Sequence, residues 1–178
     1  MAEKMLLHIC CAPCSIYSWR YFQQKGFEIK GLFFNPNIQP FKEFAKRKKT
    51  LQSLAEAEQR DVIYEDDYPL EEFLSRVMKS SEERCAICYR WRLGKTAALA
   101  RENGISFFST TLLLSPYQKH DLLREMGDKV AGKFGLKFVY ADLRGGFKES
   151  IDTAKNMGLY RQGYCGCIFS EKERYYPS

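Results

Sequence analysis

The sequence predicts a Rossmann-like α/β domain: a five-stranded parallel sheet with helices on both faces. Three observations predict it. Five short apolar runs alternate with longer helical stretches, and strands that alternate with helices build parallel sheets covered on both sides. The first run stops at a cysteine-rich turn, and strand ends of this kind are where open α/β sheets hold their ligands. The length, 178 residues, is that of one domain, and no Pro/Gly-rich linker, internal repeat or low-complexity segment divides it.

Taken in order, residues 6–10 form a short apolar run that ends in a turn, as a buried strand does. Residues 15–24 read as a helix that stops at Gly26. Residues 27–34 read as a second strand, closed by Asn35-Pro36-Asn37. Residues 41–60 are a charged helix and 61–64 a third short strand. Helices follow at 70–78 and 89–102, with the Cys85/Cys88 pair between them and Gly104 closing the second. A fourth strand spans 105–111, a helix 118–134, a fifth strand 136–140 and a last helix 147–157. A cysteine-bearing tail, at about 160–178, is expected to pack on the site within the same domain.

Hydrophobic residues make up 45% and charged residues 28%, which excludes a disordered chain, a collagen or a coiled coil. The net charge of +6 is compatible with a phosphate-bearing partner. No stretch reaches the roughly 18 apolar residues of a membrane span. The first residues carry neither the apolar length nor the cleavage site of a secretory signal. A cytoplasmic protein with reduced thiols is expected.

The 7 cysteines fall in three motifs: Cys10-Cys11-Ala-Pro-Cys14, Cys85-Ala-Ile-Cys88 and Cys165-Gly-Cys167. Cysteines that only filled the core would scatter along apolar faces. Two Cys-x-x-Cys pairs can bring four thiolates to one centre, which suits a structural zinc or a [4Fe–4S] cluster. Seven thiols exceed any single four-ligand site, so a second metal or a reactive thiol is implied. Cys10, Cys165 and Cys167 are the simplest remainder, although Cys10 and Cys11 are adjacent and either can face either centre. Two other readings concern the first motif. Cys11-Ala-Pro-Cys14 between a strand and a helix has the form of a thiol–disulfide oxidoreductase site, with Cys11 activated at a helix N-terminus. That reading leaves five cysteines idle. A phosphate-binding loop would also sit here, but the loop has no glycine to let a phosphate approach the backbone. A zinc-stabilised RNA-binding module without catalysis is a third class.

The chain resembles the epoxyqueuosine reductases of the QueH type. The segments that carry the resemblance are Leu6-Leu7-His8-Ile9-Cys10-Cys11-Ala12-Pro13-Cys14-Ser15, Phe34-Asn35-Pro36-Asn37-Ile38, Arg84-Cys85-Ala86-Ile87-Cys88-Tyr89, Thr110-Thr111-Leu112-Leu113-Leu114-Ser115-Pro116-Tyr117 and Arg161-Gln162-Gly163-Tyr164-Cys165-Gly166-Cys167-Ile168-Phe169-Ser170. The resemblance implies a nucleotide-binding fold like that of the HUP and PP-loop proteins. It implies reduction of the epoxide of epoxyqueuosine at the tRNA wobble position to the alkene of queuosine. It also implies a [4Fe–4S] cluster with one additional iron, and an external electron donor of unidentified nature. Removing the epoxide oxygen takes two electrons and protons, so a one-electron cluster beside an iron with an open coordination position suits the reaction. All seven cysteines, Cys10, Cys11, Cys14, Cys85, Cys88, Cys165 and Cys167, are the candidate metal ligands.

Other candidates lie around these motifs. Tyr89, Tyr160 and Tyr164 can donate a proton or stack on a base, with packing as the alternative. Arg161 and Gln162 can contact a phosphate or a base edge. Tyr89, Tyr164 and Arg161 are the candidate catalytic residues. Asn35, Asn37, Gln162, Lys46 and Arg47 are the candidate substrate-binding residues. Lys42, Lys46, Arg47, Lys48 and Lys49, interleaved with Phe41 and Phe44, can track a tRNA backbone or simply form a solvated helix face. His8 reads as a core histidine before it reads as a ligand.

Overall fold

The computed structural model describes residues 2–176. Residue 1 and the last two positions of the expected tail, 177–178, lie outside the described residues. Five strands, β1 (Glu3–His8), β2 (Phe27–Phe33), β3 (Val62–Tyr64), β4 (Phe107–Thr110) and β5 (Lys137–Phe138), form one sheet in the order β3-β2-β1-β4-β5. Every pairing is parallel, as the alternation of strands and helices requires. The helices are α1 (Ala12–Gln24), α2 (Phe41–Ala57), α3 (Leu70–Lys79), α4 (Arg84–Glu102), α5 (His120–Phe134), α6 (Phe147–Asn156) and α7 (Ile168–Tyr175). α1 packs with α2 and α6, and α4 packs with α3 and α5.

β1 is the central strand and is buried on both faces. Met5, Leu7 and Ile9 join one apolar cluster while Leu6 joins another. This is why the run carries no polar alternation. At Gly31, on β2, an added Cβ would lie 2.8 Å from Ile9 Cδ1 and 3.2 Å from Trp19. Only glycine lets α1 settle this close to the sheet. The chain first winds from β1 through β2 to β3, then crosses to β4 on the other side of β1. The switch point is therefore between β1 and β4, and Cys10 and Cys11 follow directly from the carboxyl end of β1.

Several element bounds shift by a few residues from the sequence reading: β1 ends at His8 rather than residue 10, β5 spans two residues rather than five, and α1 starts at Ala12 rather than residue 15, so Cys14 lies in its first turn. Three elements differ further. Cys85 and Cys88 lie inside the first turn of α4, which starts at Arg84 rather than at Tyr89. No glycine or proline interrupts residues 84–89, so nothing stops the helix from extending back over both cysteines. α7 lies where the sequence shows only a tail. Its eight residues are too short and too polar to show a periodic apolar face. The fourth strand ends at Thr110, and Thr111–Leu114 forms a 3-10 turn capped by the Thr110 hydroxyl, which accepts from the Leu112 N–H at 3.2 Å.

Candidate metal centre and active site

The first motif is held between a strand end and a helix start. Pro13 occupies the first turn of α1, where its missing N–H costs nothing. Cys11 is the N-cap, and its sulfur accepts from the N–H of Cys14 at 3.5 Å. This turn folds three thiols together. The Sγ atoms of Cys10, Cys11 and Cys14 all lie within 4.8 Å of one another, and all three residues are buried. The Cys10 N–H donates to Thr111 Oγ1 at 3.1 Å, and the Cys10 sulfur lies 3.2 Å from the same oxygen. Thr111, just past β4, thus pins the motif across the switch point. Within the set, hydrogen bonds first from Cys11, then from Cys14, hold the Cys10 thiol well below its usual range despite burial. Burial pushes Cys11 up, and the bond to Cys10 pushes Cys14 up. The three thiols titrate together rather than as independent groups.

The other four cysteines form a second neighbourhood. Cys85 and Cys88 are three apart on α4 and share a face. The fields of Cys165 and Cys167 act on both of them. Cys167 packs against the cluster of Phe73, Val77, Ile87 and Cys88. It is also the N-cap of α7, its sulfur accepting from the Ser170 N–H at 3.4 Å. Burial pushes the Cys88 thiol up to about 12. The partition differs from the simplest expectation. Cys10 stays with Cys11 and Cys14, and Cys165 and Cys167 stand with the α4 pair.

Docking of the tail creates this second group. Arg47, buried to 1% exposure, donates from Nε to Glu43 at 2.6 Å and from its two terminal nitrogens to the carbonyls of Cys165 and Tyr164, both at 2.9 Å. The Gln39 N–H donates to the Gly166 carbonyl at 2.8 Å, and Gln39 Oε1 accepts from the Ile168 N–H at 3.0 Å. Gly166 has φ +144°, and an added Cβ would lie 2.9 Å from the Asn37 amide nitrogen. No side chain fits there, which accounts for the glycine between Cys165 and Cys167.

The remaining candidates divide by what they touch. Gln162 donates to the Cys11 sulfur at 2.8 Å and leaves its own buried Oε1 unpaired. The Asn35 amide is engaged by the scaffold. Its Nδ2 donates to the Ile9 carbonyl at 2.9 Å, and its Oδ1 lies 3.2 Å from His8 Nε2. Asn37 is buried with Oδ1 unpaired. Tyr89 donates to Gln118 Oε1 at 2.7 Å and accepts from the Lys119 N–H at 3.1 Å, and burial pushes its phenol well above the usual range. Tyr164 donates to the Gln39 carbonyl, and burial pushes it up to about 12. The protons of both tyrosines are thus committed to structural acceptors. Arg47, read from the sequence as a phosphate contact, is instead the buried brace of the tail. It sits on the inner face of α2, so its side chain meets the core rather than solvent. Lys42, Lys46 and Lys49 share the exposed face at i, i+4, i+7. Lys46 Nζ lies 3.8 Å over the Tyr160 ring, and Arg161 beside it is exposed.

Two residues were not singled out from the sequence. Gln118 Nε2 donates to the Cys165 sulfur at 3.3 Å. Arg92 is fully buried, and the thiols of Cys88, Cys165 and Cys10 are among the charges that reach it. Its place was readable, because Cys85, Cys88 and Arg92 recur at i, i+3, i+7 on one helix face. A cavity of about 570 Å³ lined by Val77, Met78, Arg84, Lys119, Phe169 and others opens among the residues that flank Cys85 and Cys167.

Comparisons with known proteins agree with this architecture. The model of the family described as epoxyqueuosine reductase QueH matches residues 5–173. The chain is 41% identical over 175 residues to the epoxyqueuosine reductase QueH of Dehalococcoides mccartyi, covering 98% of this chain and 96% of that one. It is 34% identical over 180 residues to the QueH of Thermotoga maritima, covering 96% and 91%. The fold is similar to a solved structure titled as a predicted subunit of tRNA methyltransferase from Methanocaldococcus jannaschii. That match has a TM-score of 0.53 at 13% identity and covers 85% of this chain and 74% of that one. The strand order, the thiol motif at the end of β1 and the near full-length matches lead to one conclusion: the chain belongs to the epoxyqueuosine reductase QueH family.

Proposed function

We propose that this chain reduces epoxyqueuosine in tRNA to queuosine, with its seven cysteines holding a [4Fe–4S] cluster and one additional iron. One observation carries the cofactor reading: three buried sulfurs lie within 4.8 Å of one another, and the other four cysteines stand near enough for their charges to act on one another and on the buried Arg92. The donor set fits such an assembly. It is all sulfur, which favours iron–sulfur or zinc centres over hard cations. Cys85, Cys88, Cys165 and Cys167 would hold the cluster, and Cys10, Cys11 and Cys14 the additional iron. When bound, the assembly supplies single electrons and a Lewis-acidic iron with an open position.

The reaction consumes two electrons and two protons, and the epoxide oxygen leaves as water. An external reductant supplies the electrons. The chain's own residues set the stage. Gln162 and Gln118 donate hydrogen bonds to the sulfurs of Cys11 and Cys165 and so fix where those sulfurs point. Tyr89 fixes the Gln118 amide by occupying its oxygen. The unpaired amide oxygens of Gln162 and Asn37 offer acceptors to hydroxyl or amine donors of the substrate, because buried polar atoms are rarely left without partners. Lys42, Lys46 and Lys49, with Arg161, present the basic stripe that suits a tRNA backbone.

The test is the iron, zinc and acid-labile sulfide content of anaerobically purified protein. About five irons and about four sulfides per chain support the assembly. Zinc without sulfide rejects it. With the assembly present, a single-turnover assay on epoxyqueuosine tRNA with a chemical reductant should yield queuosine, and no product would reject the activity.

A further inference from the structure

We propose that Arg92 is the built-in counter-cation of the seven-thiol centre, a fixed buried positive charge on the helix of Cys85 and Cys88 that offsets thiolate-bound iron–sulfur charge and raises its reduction potential. The inference rests on the iron–sulfur reading above.

Arg92 is 1% exposed, and its Nε has no partner. The other arginine buried to the same degree, Arg47, has a carboxylate at 2.6 Å. Among the described residues no carboxylate is ion-paired with Arg92. Burial penalises its charge, and the groups whose fields oppose that penalty are Cys88, then Cys165, Tyr89 and Cys10. These include one thiol from each of the three motifs. Burying an unpaired guanidinium is very costly, and such charges persist when they meet an anion. Protonated thiols carry no charge to meet it, whereas metal-bound thiolates do. A phosphate of the substrate does not solve the problem, because the side chain is closed to solvent. Its place on the Cys85–Cys88 face of α4 fixes the charge, and the ring of Tyr89 lies 5.8 Å from the guanidinium carbon.

Net charge around a cluster is one of the determinants of its potential. Reduction adds an electron, so a nearby fixed cation favours the reduced state. Arg92 therefore acts through the cofactor as a positioning charge.

The experiment compares full-length wild type with Arg92→Met, Arg92→Gln and Arg92→Lys, all purified anaerobically. Iron and sulfide are counted per chain. The loaded cluster is then titrated with dithionite while the signal of the reduced state is followed by electron paramagnetic resonance. For Met and Gln, the reduced-to-oxidised ratio at a given potential should fall about tenfold or more, which is 59 mV for a one-electron couple. The Lys variant should lie closer to wild type than either. A loaded Met or Gln variant with the wild-type midpoint overturns the proposal. If both neutral variants fail to load, the Lys variant decides: loading supports the need for charge, and failure shows a need for shape alone and overturns the proposal. A wild-type chain that holds zinc and no sulfide is a different outcome, because it removes the iron–sulfur reading and the proposal with it.

Discussion

His8 lies fully buried two residues before the first motif, and its ring is spent on the scaffold. Nε2 lies 3.0 Å from the Phe34 carbonyl, which can only accept, so the proton sits on Nε2. Nδ1 then accepts from the Thr110 hydroxyl at 2.8 Å. Burial, helped by the charge of Arg92, lowers the pKa to about 4 and keeps the ring neutral. One imidazole thus ties together β1, β4 and the loop after β2. His8→Phe should orphan these partners and lower stability by about 1–3 kcal/mol. Urea denaturation measures it, and an unchanged midpoint would mean that the network contributes nothing. The same scale governs Gln162. Partners that orient metal ligands typically account for tenfold to a hundredfold in metal affinity. Gln162→Leu should therefore lose iron about 10–100 times more readily to a chelator, with secondary structure intact by circular dichroism.

Elements are fixed here by two close approaches. α5 crosses β5 at Gly127, where an added Cβ would lie 2.2 Å from the Phe138 ring. Gly127→Ala should overpack this contact and lower stability by about 1–3 kcal/mol, although alanine is the better helix former. A rise in thermal midpoint would show instead that propensity wins. The second approach is that of the tail to α2 through Arg47. Arg47→Met removes both carbonyl contacts and leaves Glu43 with only the Tyr160 hydroxyl at 2.8 Å. Breaking a buried pair in this way costs about 3–5 kcal/mol. Limited proteolysis should then cut near residues 158–164 faster than in wild type, with loss of sulfide. Equal digestion would mean that the tail is held elsewhere.

Across the whole molecule, the net charge of +6 and the Lys42, Lys46, Lys49 stripe set the expectation for tRNA binding. Lys46→Glu with Lys49→Glu should weaken affinity at low salt and reduce the slope of log affinity against log salt by about one to two. Iron content should stay at the wild-type value. Unchanged binding would place the tRNA on another face. No helix among the described residues is long and apolar enough to cross a membrane.

Local pattern determined the order of the strands, the starts of α2, α3 and α6 and the three cysteine motifs, because apolar runs, glycine stops and short motif spacings are properties of neighbours in the chain. It also pointed to the end of β1 as the site. What it could not determine depends on contacts between residues far apart in the chain. Nothing in Lys-Arg-Lys-Lys separates the buried Arg47 from its exposed neighbours until the tail docks on α2. Nothing in the spacing of seven cysteines says which will meet, because Cys85 and Cys165 are joined only by the return of the tail across α4. The spacing of Cys85, Cys88 and Arg92 puts the arginine on the cysteine face of α4, but only the tertiary structure shows that it is buried there with thiols, and among the described residues no ion-paired carboxylate, to answer its charge.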